Sequence, residues 1–245
     1  MKTILIIGAY SAIAEETAKL YAIQGYRLVL WGRKMNRLKS VQQNLEVLGA
    51  KAVNCFEVDL DDCAGHAALL EQTISTVGSP DIALIAHGTL PDQKAVEDEF
   101  KAIEPFIHTN FLTYVSLLTV LANHYEQEKR GTIAVITSVA GDRGRKSNYI
   151  YGAAKAGAST FVDGLRGRLA SAGVHVLNIK PGMVDTPMTA HLQKGALFSQ
   201  PAAVAAGIVK AIGKKKSTAY VPGYWRLVMF IIRSIPEIIF KKTNF

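Results

Sequence analysis

Tyr151 and Lys155 stand four residues apart in Tyr151-Gly152-Ala153-Ala154-Lys155. On a helix, that spacing puts a phenol and an ammonium on one face, a turn apart. A free phenol has a pKa of about 10 and is a poor base at neutral pH. A neighbouring ammonium favours the phenolate and is expected to lower that pKa. Such a pair can take a proton from an alcohol, or give one to a carbonyl, while hydride moves at carbon. Ser138 lies thirteen positions earlier, at the end of an apolar run. Its hydroxyl there can hold and polarise a substrate oxygen. Asn110, in the helical stretch before that run, is placed to anchor a water leading to Lys155. Tyr149 is a near neighbour, but its i+4 residue is Ala153. A lone Tyr-x-x-x-Lys recurs by chance on helix surfaces, so the reading depends on what the chain builds around it.

The elements that must position these groups follow from hydropathy. Short apolar, β-branched runs occur at Thr3–Ile7, Arg27–Trp31, Ala52–Val58, Ile82–Ala86, Thr132–Thr137, His175–Lys180 and, less clearly, Thr218–Val221. They suit strands buried on both faces. Amphipathic stretches at Ala12–Gln24, Lys34–Leu48, Ala64–Thr76, Pro105–Gln127, Asn148–Ser171 and Pro201–Ile212 separate them. Strand and helix in turn predict an α/β fold with a doubly wound, Rossmann-like parallel sheet and helices on both faces. One catalytic domain is expected over residues 1–222, with a basic amphipathic tail at 223–245. The 245 residues, 49% hydrophobic and 20% charged, are consistent with one such domain and argue against disorder. Cys55 and Cys63 make neither a disulfide framework nor a metal-ligand spacing, so both are expected to be buried small hydrophobes and no metal is expected.

The first run ends in Gly8-Ala9-Tyr10-Ser11-Ala12-Ile13-Ala14 and passes at once into a helix. Gly8 permits a tight turn. Backbone N–H groups around Tyr10, Ser11 and Ile13, with the helix dipole, make a pyrophosphate site. The second run ends at Trp31-Gly32-Arg33, beside the expected adenosine ribose. An acid there would suit a free 2′-hydroxyl, whereas Arg33 suits a 2′-phosphate. NADP is therefore the expected cofactor, with NAD as the alternative. Asp59-Leu60 and Ala86-His87-Gly88 close the third and fourth runs, where open α/β sheets bind ligands. His87 is read as lining the cofactor site rather than as an acid or base. Lys155 is expected to reach the nicotinamide ribose.

Gly8, Asp59, Gly88, Asn110, Ser138, Tyr151 and Lys155 together resemble the short-chain dehydrogenase/reductase family over about residues 1–222. Pro181-Gly182-Met183-Val184-Asp185-Thr186 is similar to the family's Pro-Gly segment. The resemblance implies that Pro181, Val184 and Thr186 cover the nicotinamide, and that the protein is a homodimer or homotetramer built through the Pro105–Gln127 and Asn148–Ser171 helices. Two departures stand out. Ala12 and Ala14 replace the turn's second and third glycines, and Ile85-Ala86-His87-Gly88 replaces Asn-Asn-Ala-Gly.

Substrate choice is expected in a lid of Met188, His191, Leu192, Leu197 and Phe198, and in the tail. Most of the net charge of +8 lies beyond residue 205, where eight cations face Glu237 alone. The tail's apolar run is too short and too charged to span a bilayer, but it suits a helix in the membrane interface. Ser138–Arg145 and the tail resemble one branch of the family, which includes decaprenylphosphoryl-2-keto-ribose reductases. That resemblance implies a keto sugar carried on a polyprenyl phosphate, with Arg143, Arg145 and the basic tail meeting phosphate, and it implies NADH. The expected function is reduction of a ketone or keto sugar, lipid-linked or not. The alternatives are a soluble reductase of a small ketone or acyl thioester, and a non-catalytic dinucleotide-binding regulator. No nucleic acid is expected, because aromatic and basic residues do not interleave outside the tail. Ile4–Ile7 is too short for a signal-peptide core, so a cytoplasmic place is expected, with peripheral contact on the inner face of the membrane.

Overall fold

The computed structural model describes residues 1–243; the last two residues of the expected tail lie outside that range. Seven strands form one parallel sheet: β1 (Thr3–Ile7), β2 (Arg27–Gly32), β3 (Ala52–Glu57), β4 (Ile82–Ile85), β5 (Thr132–Ile136), β6 (His175–Pro181) and β7 (Thr218–Val221). Their order is β3-β2-β1-β4-β5-β6-β7. The order reverses between β1 and β4, so the crevice of a doubly wound sheet must open at their C-terminal ends.

Successive side chains leave a strand on opposite faces. Ile4, Ile6, Leu28 and Leu30 pack on one side against α1 (Ala12–Ile23), α2 (Met35–Val47) and α8 (Pro201–Gly213). Leu5, Ile7, Val29 and Trp31 pack on the other side against α3 (His66–Val77), α6 (Thr113–Glu128) and α7 (Tyr149–Leu169). Both faces being covered is why the strands read as unbroken apolar runs.

The expected helix Pro105–Gln127 is built differently. After a short α4 (Gln93–Val96), the chain forms α5 (Phe100–Ile107), a π turn at His108–Leu112, and then α6. The wider turn carries Asn110, which is fully buried. The stretch Phe100–Glu128 is long and apolar enough to cross a membrane, yet Tyr114, Leu117, Leu118, Leu121 and Tyr125 are buried against the sheet and α7. Cys55 and Cys63 are free and half-buried rather than buried.

Beyond β7, the tail folds back as α9 (Trp225–Ser234) and α10 (Glu237–Phe240). Trp225, Met229 and Ile232, at i, i+4 and i+7, share one face and pack with Phe240 on Val139, in the 3-10 turn Val139–Asp142. Arg143 holds this arrangement. Its Nη1 donates to the carbonyls of Ile232 (2.6 Å) and Ile235 (2.7 Å), and its Nη2 to Glu237 (2.9 Å). The guanidinium also lies 3.6 Å from the centre of the Phe240 ring.

Candidate active site

A cleft of about 440 Å³ opens where the order reverses. At its nucleotide end, Gly8 has φ +84°, and a Cβ there would lie 2.6 Å from the backbone nitrogen of His87, so only glycine fits. Ser11 makes no side-chain cap on α1. The first-turn N–H groups of α1 are thus left without a side-chain acceptor, above a floor of Tyr10, Ser11, Ala12 and Ile13. This donor set fits a pyrophosphate. The two alanines divide in their effect. Ala14 is buried in the core, where its methyl only packs; Ala12 lines the cleft.

Tyr10 ties the turn to the end of β2. Its hydroxyl accepts from the Lys34 N–H at 2.9 Å and donates to the Lys34 carbonyl. Arg37 lies over the Tyr10 ring, 4.5 Å from its centre, and donates to Glu15 at 3.0 Å. Arg33 is exposed beside it and makes no ion pair among the described residues. The charge expected at this end is therefore present, and Arg37 adds to it. Asp59, Leu60, Ala86, His87 and Gly88 all line the same cleft. His87 Nε2 is 2.7 Å from the Thr113 hydroxyl, and its ring tilts against Tyr114. Burial, helped by the Lys155 charge, holds its pKa well below the usual histidine range. It is a neutral wall residue at pH 7.

The chemical end gathers Ser138, Tyr151 and Lys155. Ser138 follows β5, and its Oγ accepts the Ala140 N–H at 3.0 Å. Tyr151 and Lys155 share a face of α7, as expected, but the electrostatic expectation fails. Burial pushes the Tyr151 phenol up to about 12, and only the nearby Ser138 hydroxyl pulls it back. The Lys155 ammonium faces elsewhere. Its Nζ donates to the Tyr114 hydroxyl at 2.9 Å and lies 5.7 Å from the Tyr151 ring centre. Burial brings Lys155 itself down to about 7. Desolvation of both groups outweighs their mutual effect.

Tyr114 is the residue missed by spacing. It is fully buried, and its hydroxyl donates to the carbonyls of His87 and Ile136, leaving oxygen free to accept from Lys155. Asn110 stands outside the cleft lining. Its Oδ1 accepts the Thr89 N–H (3.1 Å), and its Nδ2 donates to the carbonyls of Thr89 (3.0 Å) and Phe106 (2.9 Å). It holds the Thr89 loop, and its Oδ1 comes close to Lys155 at Gly88, where a Cβ would lie 2.8 Å from Asn110 Oδ1 and 3.4 Å from Lys155 Nζ.

Pro181, Val184 and Thr186 line the cleft beside Met183. Thr186 caps the 3-10 turn Pro187–Thr189. Of the expected lid, Met188 and Leu192 line the cleft, whereas His191, Leu197 and Phe198 do not. The Leu197 carbonyl accepts from the Tyr224 hydroxyl at 3.1 Å, which ties this segment to the tail. Trp225 closes the substrate side from α9. Its ring lies so close to Gly182 that a Cβ there would be 1.8 Å from Trp225 Nε1. Of the two arginines expected to meet phosphate, Arg143 is spent on the tail and Arg145 lines the cleft.

The fold and the cleft define a dinucleotide-binding α/β protein. Residues 2–196 match the short chain dehydrogenase family. An uncharacterized oxidoreductase of Mycobacterium tuberculosis, Rv2073c, is 34% identical over 239 residues, covering 98% of this chain and 96% of that one. An uncharacterized oxidoreductase of Streptomyces coelicolor is 32% identical over 244 residues, covering 98% and 95%. The chain belongs to the short-chain dehydrogenase/reductase family and is an oxidoreductase of that class. Among solved structures, a short-chain dehydrogenase from Sphingobium yanoikuyae in complex with NADPH shares the fold at TM-score 0.81 and 23% identity, over 97% of each chain. The bulky-bulky ketone specific alcohol dehydrogenase from Comamonas testosteroni does so at TM-score 0.79 and 22% identity, over 97% and 96%.

Proposed function

We propose that the protein reduces a ketone to a secondary alcohol at the expense of NADPH. The observation that carries this reading is the state of Tyr151: a phenol held protonated at neutral pH, with Ser138 in the same cleft, whose other end suits a dinucleotide. Bound there, the reduced nicotinamide supplies hydride to the carbonyl carbon. Ser138 holds the carbonyl oxygen, and the Tyr151 hydroxyl gives it a proton. Lys155, poised near neutrality and bonded to the Tyr114 hydroxyl, is the buried group that resupplies the proton, and solvent protons restore it. The ketone thus takes up one hydride and one proton to become the alcohol. The Gly8–Ile13 turn holds the pyrophosphate, with Asp59, Leu60, Ala86, His87 and Gly88 around the adenosine and ribose. Pro181, Val184 and Thr186 lie over the nicotinamide. Arg33 and Arg37 favour the 2′-phosphate, and the NADPH in the Sphingobium structure is in line with that choice. Fluorescence titration tests it: NADPH is expected to bind more tightly than NADH at matched salt, and the reverse order makes Arg33 a surface residue.

The outer face of the tail favours a ketone borne on lipid. Leu227, Phe230, Ile231, Ile238 and Ile239 are exposed there among Arg226, Arg233, Lys241 and Lys242. Such a face suits an anionic bilayer surface, and it is consistent with a cytoplasmic protein bound peripherally. Flotation with anionic vesicles is expected for the wild type and is lost in Phe230→Glu/Ile231→Glu. A wild type that stays at the bottom leaves a soluble ketone or acyl thioester as the substrate. Homodimer or homotetramer assembly through α6 and α7 belongs to the same reading, and light scattering tests it.

A further inference from the structure

Arg145 sits in the substrate half of the cleft, with Val139, Ala140, Asn148, Tyr151 and Trp225. It is 9% exposed. Among the described residues its one hydrogen bond is a long one, from Nη2 to the Val139 carbonyl at 3.4 Å, and its buried Nε has no acceptor. No carboxylate among the described residues pairs with it. Asp142 is the acid that attracts it, but both Asp142 oxygens are taken: Lys180 holds Oδ1 at 2.5 Å and the Tyr220 hydroxyl holds Oδ2 at 2.8 Å. Arg143, two residues earlier on the same loop, shows the contrast. It spends its N–H groups on three carbonyls and Glu237. A guanidinium taken out of water without a counter-charge is costly. The cost is offset if the ligand brings the anion.

We infer that Arg145 is the anion-recognising residue of the substrate subsite, and that the ketone carries a carboxylate or phosphate within reach of Tyr151. This rests on the reductase reading and narrows it. Asn148 lines the same cleft, and its buried Oδ1 receives no donor among the described residues. Met183, Met188 and Leu192 line the same cleft and give it apolar surface for the remainder of the substrate. The guanidinium's planar fork matches either oxyanion.

The test pairs each anionic ketone with a neutral twin. The pairs are 2-oxo-4-phenylbutanoate with its ethyl ester, and dihydroxyacetone phosphate with dihydroxyacetone. Values of kcat/KM with NADPH are measured for the wild type, Arg145→Gln and Arg145→Lys. The wild type is expected to favour the anionic member of at least one pair by about 10- to 100-fold, as for a charge-assisted hydrogen bond. The pair with the larger ratio tells carboxylate from phosphate. Arg145→Gln should bring the ratio near one, and Arg145→Lys should restore part of it. Because the ratio is formed within each protein, a general loss of activity cancels. A wild-type ratio near one for both pairs, or a ratio that survives Arg145→Gln, overturns the inference. If no ketone turns over, the reductase reading falls, and calorimetry on the NADPH-loaded protein decides the subsite alone. Tighter binding of 2-hydroxy-4-phenylbutanoate than of its ester, lost in Arg145→Gln, upholds it; equal binding removes it.

Discussion

The two ends of the cleft hold their positive charges in opposite ways. At the nucleotide end, Arg33 and Arg37 stand in solvent, one free of acids and one leaning on Glu15 and Tyr10. At the chemical end, Lys155 and Arg145 are buried, and neither pairs with a carboxylate among the described residues. Solvated charge attracts ligands by field alone. Desolvated charge is altered by its surroundings, which is how a lysine comes to titrate near 7. The open end can choose a cofactor without disturbing chemistry, while the closed end tunes protons.

The largest expected effect lies at the closed end. Tyr151→Phe keeps the ring and removes the proton donor, so kcat for ketone reduction should fall by about 10²- to 10⁴-fold. Single-turnover kinetics check it, and an unchanged rate would falsify the assignment of Tyr151 as proton donor. Next comes the open end. Arg33→Ala should cut the preference for NADPH over NADH by about 10-fold, read from paired dissociation constants, with kcat at saturating cofactor nearly untouched. The smallest effect probes how the closed end tunes its lysine. The Lys155 value is depressed, so its protonated form, which feeds Tyr151, is lost as pH rises. Ketone reduction should therefore decline above about pH 7. Tyr114→Phe removes the oxygen that accepts from the ammonium, which disfavours the charged form. The decline should move down by about half a unit to one unit. A profile that moves upward, or stays put, breaks the link between Tyr114 and Lys155.

The sheet was legible in sequence because its strands are buried on both sides, which forces unbroken β-branched runs such as Thr3–Ile7. Tyr151 and Lys155 were legible because α7 alone makes them neighbours. What spacing leaves open is which way an ammonium turns. Its partner Tyr114 is 41 residues away on α6 and meets it only through the fold. Trp225 is hidden for the same reason, since it follows β7 and meets Gly182 at the end of the neighbouring β6. Asn110 was legible as a residue of the site, but the hold its amide takes on Thr89 and Phe106 from the π turn was not. Arg143 and Arg145 look alike in sequence, and only the docking of α9 tells them apart.

The match to the family ends at residue 196, whereas Trp225, which walls the substrate side, belongs to the stretch beyond it. Proton donor and Trp225 therefore lie on different lengths of chain. α8 and β7 between them belong to the common core and sheet, so the exchangeable length begins after Val221, and grafting residues 222–245 between relatives should carry a taste for substrate onto an inherited chemistry.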